Sequence, residues 1–151
     1  MDSTANIESN HVNIKSFVNE RIKTFEHVLN ELALLSKKSK DYFVKTVSKD
    51  HRIDNSLLEN YQFESHGFAW FETYRIGLRE TFNWLIRLID SNKAADIDYN
   101  ILLYSFAEYV SQMRDGIMIS QTEMLRLSDI GLTRDDFKFA DEPNVSELIS
   151  F

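Results

Sequence analysis

The stretch ENYQFESHGFAWFETYRIGLRETFNWLIRLID, Glu59 to Asp90, decides the fold. Within it Gly67, Phe71, Tyr74, Leu78, Phe82, Leu85 and Ile89 recur at steps of three and four, which brings them to one side of an α-helix. Trp70, Trp84 and Leu88 widen that stripe. A helix apolar over so much of its circumference needs neighbours on more than one side, so it is expected to lie at the centre of a helical bundle.

Upstream, DHRIDNS (Asp50 to Ser56) is polar and rich in cap-forming residues. Ser56 and Glu59 have the SxxE spacing of a capping box, which predicts the start of the central helix there. Further back, Ile14, Phe17, Val18, Ile22, Phe25, Val28, Leu29, Leu32 and Leu35 form one stripe, continued less cleanly by Tyr42, Phe43 and Val47. A first helix of roughly 30 to 35 residues, about 50 Å long, is expected. Lys37, Lys38, Lys40, Lys45 and Lys49 read as its solvated end, where cations complement the helix dipole.

Downstream, SNKAAD (Ser91 to Asp96) interrupts the pattern, and IDYNILLYSFAEYVSQMRD (Ile97 to Asp115) predicts a third helix. Its inward face is expected to hold Ile101, Leu102, Ser105, Phe106, Tyr109, Val110 and Met113, with Gly116 closing it in the left-handed region. Ser120 and Glu123 repeat the SxxE spacing and predict a short fourth helix, TEMLRLSD (Thr122 to Asp129), closed by Gly131. Thr133 with Asp136 offers a cap for a last turn or two. KFADEPNVSELISF (Lys138 to Phe151) has no sustained stripe and predicts an acidic, loosely packed tail.

Composition agrees with this outline. A chain of 151 residues fits one domain, and four Gly with one Pro leave too few turn formers for a sandwich or barrel. The expected architecture is all-α: an antiparallel bundle of three long helices plus short C-terminal helices. Residues 1–10 are expected to be a disordered lead-in, 11–132 the bundle, and 133–151 short helical turns and acidic tail.

The chain has no Cys, which excludes disulfides, thiolate nucleophiles and Cys-ligated metals. Its net charge of −7 is uneven: residues 1–52 hold nine Lys/Arg against seven Asp/Glu, so the remainder is strongly acidic and ill suited to nucleic acid. Neither a signal-like N-terminus nor a membrane-length apolar run occurs, so a cytoplasmic location is expected.

Chemistry is sparse. A di-metal bundle site needs two Glu-x-x-His motifs, and the sequence has one such spacing, Glu8 to His11, in the polar lead-in. The four His (His11, His27, His51, His66) lack the i, i+4 pairing that converges on a metal. His66, beside Glu64 and Trp70, is expected to hydrogen-bond across helices. Glu72 and Arg75 form an i, i+3 pair, while Arg79 and Glu80 need partners on other helices. No nucleophile-base set, phosphate loop or dinucleotide fingerprint is present, so no catalytic, cofactor-binding or metal residue is assigned.

Two segments carry more than periodicity. HGFAWFETYRIGLRETFNWLIRL (His66 to Leu88) holds Trp70, Thr73 and Tyr74. FAEYVSQMRDGIMISQTEMLRLSDIGL (Phe106 to Leu132) holds Phe106, Glu108, Tyr109 and Gln112, then Ser120, Gln121, Glu123, Arg126, Asp129, Gly131 and Leu132. In this order they resemble the helical N-terminal extension of methylsuccinyl-CoA dehydrogenase-like acyl-CoA dehydrogenases, although Met118 and Ile119 stand where that pattern has a Pro shortly before its S-Q. The resemblance implies an accessory domain: flavin, thioester and catalytic glutamate belong to a core that follows such an extension. It therefore implies an acyl-CoA dehydrogenase core as partner, FAD only where that core is supplied, and no catalysis by this chain alone. Its motif and interaction candidates are Trp70, Tyr74, Glu108, Tyr109, Gln112, Ser120, Gln121, Glu123 and Arg126. The aromatic richness leaves two other functions open: a free-standing interaction module that self-associates, and a carrier of a small apolar ligand.

Overall fold

The computed structural model describes residues 13–151; the lead-in, with its Glu8 to His11 spacing, lies outside the described residues. The predicted all-α bundle is present, its three long helices packed against one another. They are α2 (Ile22–Thr46), α4 (Gln62–Asp90) and α5 (Asp96–Asp115), preceded by the short α1 (Ile14–Glu20). The central helix α4 touches both α2 and α5, as its wide apolar stripe requires.

The first stripe extends over one continuous path but two helices. The helix breaks at Arg21 (φ −110°, ψ 12°), whose N–H bonds the carbonyl of Val18. Its guanidinium lies 3.8 Å from the Phe17 ring centroid and 2.7 Å from Glu147, so the side chain is held while the backbone bends. Phe17, Val18, Phe25, Val28, Leu29 and Leu32 are nevertheless all buried, because the bend leaves the apolar face in phase.

The polar stretch DHRIDNS is divided between a tight hairpin and the start of the next helix. Strands β1 (Ser48–Lys49) and β2 (Arg52–Ile53) pair antiparallel, and the two residues between them, Asp50 and His51, both have positive φ, at 51° and 61°. That geometry matches the twist of the strands it joins. The cap is Asp54, not Ser56: its carboxylate accepts from the Leu57 N–H at 3.0 Å and opens α3 (Asn55–Asn60), with α4 beginning after a break at Tyr61.

After α5 the expected fourth helix is absent. Gly116 has the positive φ expected of a glycine stop but not the αL helix-end geometry (φ 138°, ψ 131°), and it leads directly into β3 (Ile117–Met118), which pairs with β4 (Met124–Leu125). The SxxE spacing serves the turn: the Ile119 and Ser120 N–H groups bond the Glu123 carbonyl, and the Ser120 hydroxyl donates to the Glu123 carboxylate. The hairpin prevails because it makes Ile117 and Leu125 cross-strand partners and buries both. Leu125 seats on Gly67 of α4, where a Cβ would overlap its methyl group. A 3₁₀ turn, Leu127–Ile130, follows and ends at Gly131, which is left-handed as expected (φ 70°, ψ 21°).

The tail is not loose. Thr133 and Asp136 do cap the next element, a 3₁₀ segment over Arg134–Asp141 that kinks at Phe137, and Pro143 starts α6 (Pro143–Ile149) at a position where its missing N–H costs nothing. Phe137, Phe139, Ala140, Val145 and Leu148 all enter the core. The kink places these residues out of helical register with one another, so they form no readable stripe.

Charge ties the tail down. Lys38 of α2 lies 2.6 Å from Asp136, so one of the lysines read as solvated is a tether. Burial pushes the Asp136 carboxyl up, but hydrogen bonds from Lys38 and Thr133 and the Lys38 charge outweigh it and hold it below the ordinary carboxylate value. Glu72 is likewise pushed up by burial and brought below its ordinary value by Arg75, Ser36 and Lys40. Carboxyls depressed in the folded state contribute stability above their unfolded values and lose it as pH falls through the folded ones. Urea midpoints are therefore expected to be flat above about pH 5 and to drop below about pH 4, with a shallower drop in Asp136→Asn.

Candidate functional site

The structure gathers five of the nine candidate residues into one cluster on the seam between α4 and α5. Trp70 and Tyr74 come from one turn of α4, and Glu108, Tyr109 and Gln112 from one turn of α5. The Tyr74 hydroxyl donates to Gln112 Oε1 at 3.1 Å, and Gln112 Nε2 donates to Glu108 Oε1, so the amide is oriented from both ends. The Tyr74 ring meets Tyr109 at 4.6 Å between centroids and Trp70 at 6.0 Å nearly edge-on. Trp70 Nε1 donates in turn to His66 Nε2 at 3.0 Å, within α4 and not across helices as expected.

Burial, with Tyr109 and Glu108 beside it, pushes the Tyr74 phenol above its ordinary value. It therefore stays protonated and remains the donor of the chain. Tyr74→Phe, which removes only that donor, is expected to lower unfolding free energy by about 0.5–1.5 kcal/mol in denaturant titrations, with no change in helical content.

The other four candidates lie apart, on the β3–β4 hairpin and just beyond it. Ser120, Gln121 and Glu123 form the exposed turn, and the Arg126 N–H bonds Asp129 at 2.7 Å to open the following 3₁₀ turn. The Arg126 side chain lines an open cleft with Arg114 and Arg134. Two of those three guanidinium groups are already engaged, since Asp115 lies 2.6 Å from Arg114 and 2.8 Å from Arg134. Hydrogen bonding from Arg114 is the main reason the Asp115 carboxyl lies below its ordinary value.

The remaining sequence-level pairs are structural. Arg75 meets Glu72 at 2.8 Å, and Arg79 reaches Asn30 of α2 at 3.2 Å, so one of the two charges that needed a partner on another helix has one. His27 Nε2 lies 3.2 Å from Glu142, off the line of a hydrogen bond, where it faces the start of α6. Among the described residues no group of His, Asp and Glu converges as a metal site, and no helix is long and apolar enough to cross a membrane.

Two clefts, one between α5 and the C-terminal residues and one beneath the hairpin, are open to solvent. What the cluster and its surroundings can do chemically is present a rigid, aromatic and hydrogen-bonded surface.

Sequence reasoning missed the outer side of α5. The buried stripe is Tyr99, Leu102, Leu103, Phe106, Val110 and Met113, whereas Ile101 and Tyr109, expected inside, are exposed. Ile97, Ile101 and Tyr104 make a second apolar stripe toward solvent, at 62%, 43% and 55% exposure. Two stripes on one helix leave its phase ambiguous; the contiguous pair Leu102–Leu103 is the signal that separates them.

No protein-family profile matches the chain. It is 34% identical over 104 residues to the (2S)-methylsuccinyl-CoA dehydrogenase of Cereibacter sphaeroides, a match that covers 69% of this chain but 19% of that enzyme. The chain thus spans about a fifth of the length of its relative, and the resemblance carried by the two motif segments extends to most of its residues. This chain is a helical domain related to one part of a methylsuccinyl-CoA dehydrogenase-type acyl-CoA dehydrogenase.

Proposed function

We propose that the chain is a non-catalytic accessory domain, equivalent to the helical N-terminal extension of such enzymes, that packs on an acyl-CoA dehydrogenase core supplied by another polypeptide. The observation that carries this reading is the match itself: most of this chain corresponds to a minor part of a much longer dehydrogenase. The Tyr74–Gln112–Glu108 chain supports it, because it rigidifies a surface and positions no reacting group. FAD enters with the partner core in this reading.

Size-exclusion chromatography of the purified chain with purified flavin-loaded acyl-CoA dehydrogenases of the same cell tests it. Co-elution of the chain with flavin absorbance is the expected result. If none of those enzymes retains the chain, the accessory role is lost, and a discrete dimer in light scattering would then favour self-association.

A further inference from the structure

We infer that the outer face of α5 is the surface on which the dehydrogenase core docks, and that the core meets it with an apolar patch rimmed by lysine or arginine; this rests on the accessory reading above. The face is anomalous for a solvated helix. Ile97, Ile101 and Tyr104 are spaced by four and three residues and stand at the solvent apex, directly opposite the buried stripe through Phe106. A helix apolar on both sides is one that is covered on both sides.

The outer faces of the other long helices are different. Exposed Leu34, Tyr42 and Val44 on α2 are interspersed with Lys37, Lys38, Asp41 and Lys45, and on α4 exposed Ile76 is flanked by Thr73 and Glu80 while Phe63 stands far from it at the start of the helix. Single apolar residues among charges are normal on a soluble surface and call for no partner. On α5 the apolar residues are contiguous and continue sideways. Tyr104 meets the Phe151 ring at 6.3 Å, and an open cleft runs on past Glu108 and Ile149. On the opposite flank Tyr109 carries the face to Tyr74.

Charge identifies the occupant's chemistry. From Asp96 to Gln112 the helix has Asp96, Asp98 and Glu108 and no Lys or Arg. Of the cations around it, Arg114 is bonded to Asp115, Arg21 to Glu147 and Lys15 lies against Tyr99, while exposed Lys93 stands in the turn before the helix, at the edge of the face. A second copy docking through the same face about a two-fold axis would set acid against acid, which disfavours self-pairing. A partner with a cationic rim removes that penalty. The relative matched here carries about four fifths of its own chain outside the shared part, and that is the body available to cover the face.

The test uses the full chain and the purified flavin-loaded dehydrogenase that co-elutes with it, titrated by isothermal calorimetry. Ile101→Lys and Glu108→Lys are each expected to weaken binding roughly tenfold or more, while Ile101→Leu and the α2 control Leu34→Lys bind as the parent does. Circular dichroism confirms that the exposed-site variants fold. If the parent binds and Ile101→Lys binds equally well, the docking face is wrong and the accessory role stands. Tighter binding by Glu108→Lys would overturn the cationic rim. Binding of no dehydrogenase by the parent removes both readings, and a parent dimer that Ile101→Lys converts to monomer shows that a second copy, not the core, is the occupant.

Discussion

Phe137→Ala is expected to lower the unfolding free energy by about 3–5 kcal/mol, the cost of deleting a fully buried aromatic ring and leaving a cavity. Phe137 has no solvent exposure and its ring lies 5.4 Å, tilted, from that of Phe139, which falls at the start of the segment that sequence alone marks as loose. Against a total stability of about 5–15 kcal/mol for a domain, that loss is large. The loss is also expected to be uneven. Amide exchange should accelerate over residues 134–149 before it does in α4, because Phe137 anchors the 3₁₀ segment on which α6 packs, alongside the Lys38–Asp136 pair. A cost below about 1 kcal/mol would mean that the C-terminal segment contributes little to the core.

Phe25→Ala is expected to cost a similar amount, about 3–5 kcal/mol, but with a different signature. Phe25 is fully buried on α2, meets Phe106 of α5 edge-on at 4.7 Å, and lies 6.3 Å from Phe82 of α4. One ring thus joins all three long helices. Its removal should shift the denaturant midpoint of the whole cooperative transition, with protection lost in parallel throughout the bundle.

These two residues mark the boundary of what the sequence discloses. Phe25 sits in a stripe that repeats over about six turns of helix, so its burial follows from spacing. The same holds for Phe71, Leu78, Phe82 and Leu85 of α4. Phe137 belongs to a kinked segment whose buried residues have no common period, and no window over the sequence finds them. The SxxE spacing at Ser120 failed for another reason: its bonds are local and equally available to a hairpin, and the decision is made by Leu125 finding the notch at Gly67, 58 positions earlier in the chain. Tertiary contact overrode local propensity.

The candidate site was legible in part. The motif residues on α4 and α5 were named from sequence, and the structure brings Trp70, Tyr74, Glu108, Tyr109 and Gln112 together. Their connection through the Gln112 amide depends on helix rotation and could not be read from spacing. Rotation also hid the outer stripe of α5, since a helix with two apolar sides offers two solutions to the same periodicity.

The packing of the C-terminal segment has a topological corollary. The Phe17 and Phe151 rings lie 5.0 Å apart, and Arg21 is bonded to Glu147, so α1 and the end of α6 form one corner of the molecule. With residues 1–12 removed, a short linker from Phe151 to Asn13 and new ends cut into the exposed SNK turn after α4 should give a circular permutant with the same core. The same corner adjoins the Tyr104 end of the outer apolar stripe of α5. A fluorescent protein fused after Phe151 would therefore stand beside that face and shade it, whereas one inserted at the Asp50–His51 turn would leave it open.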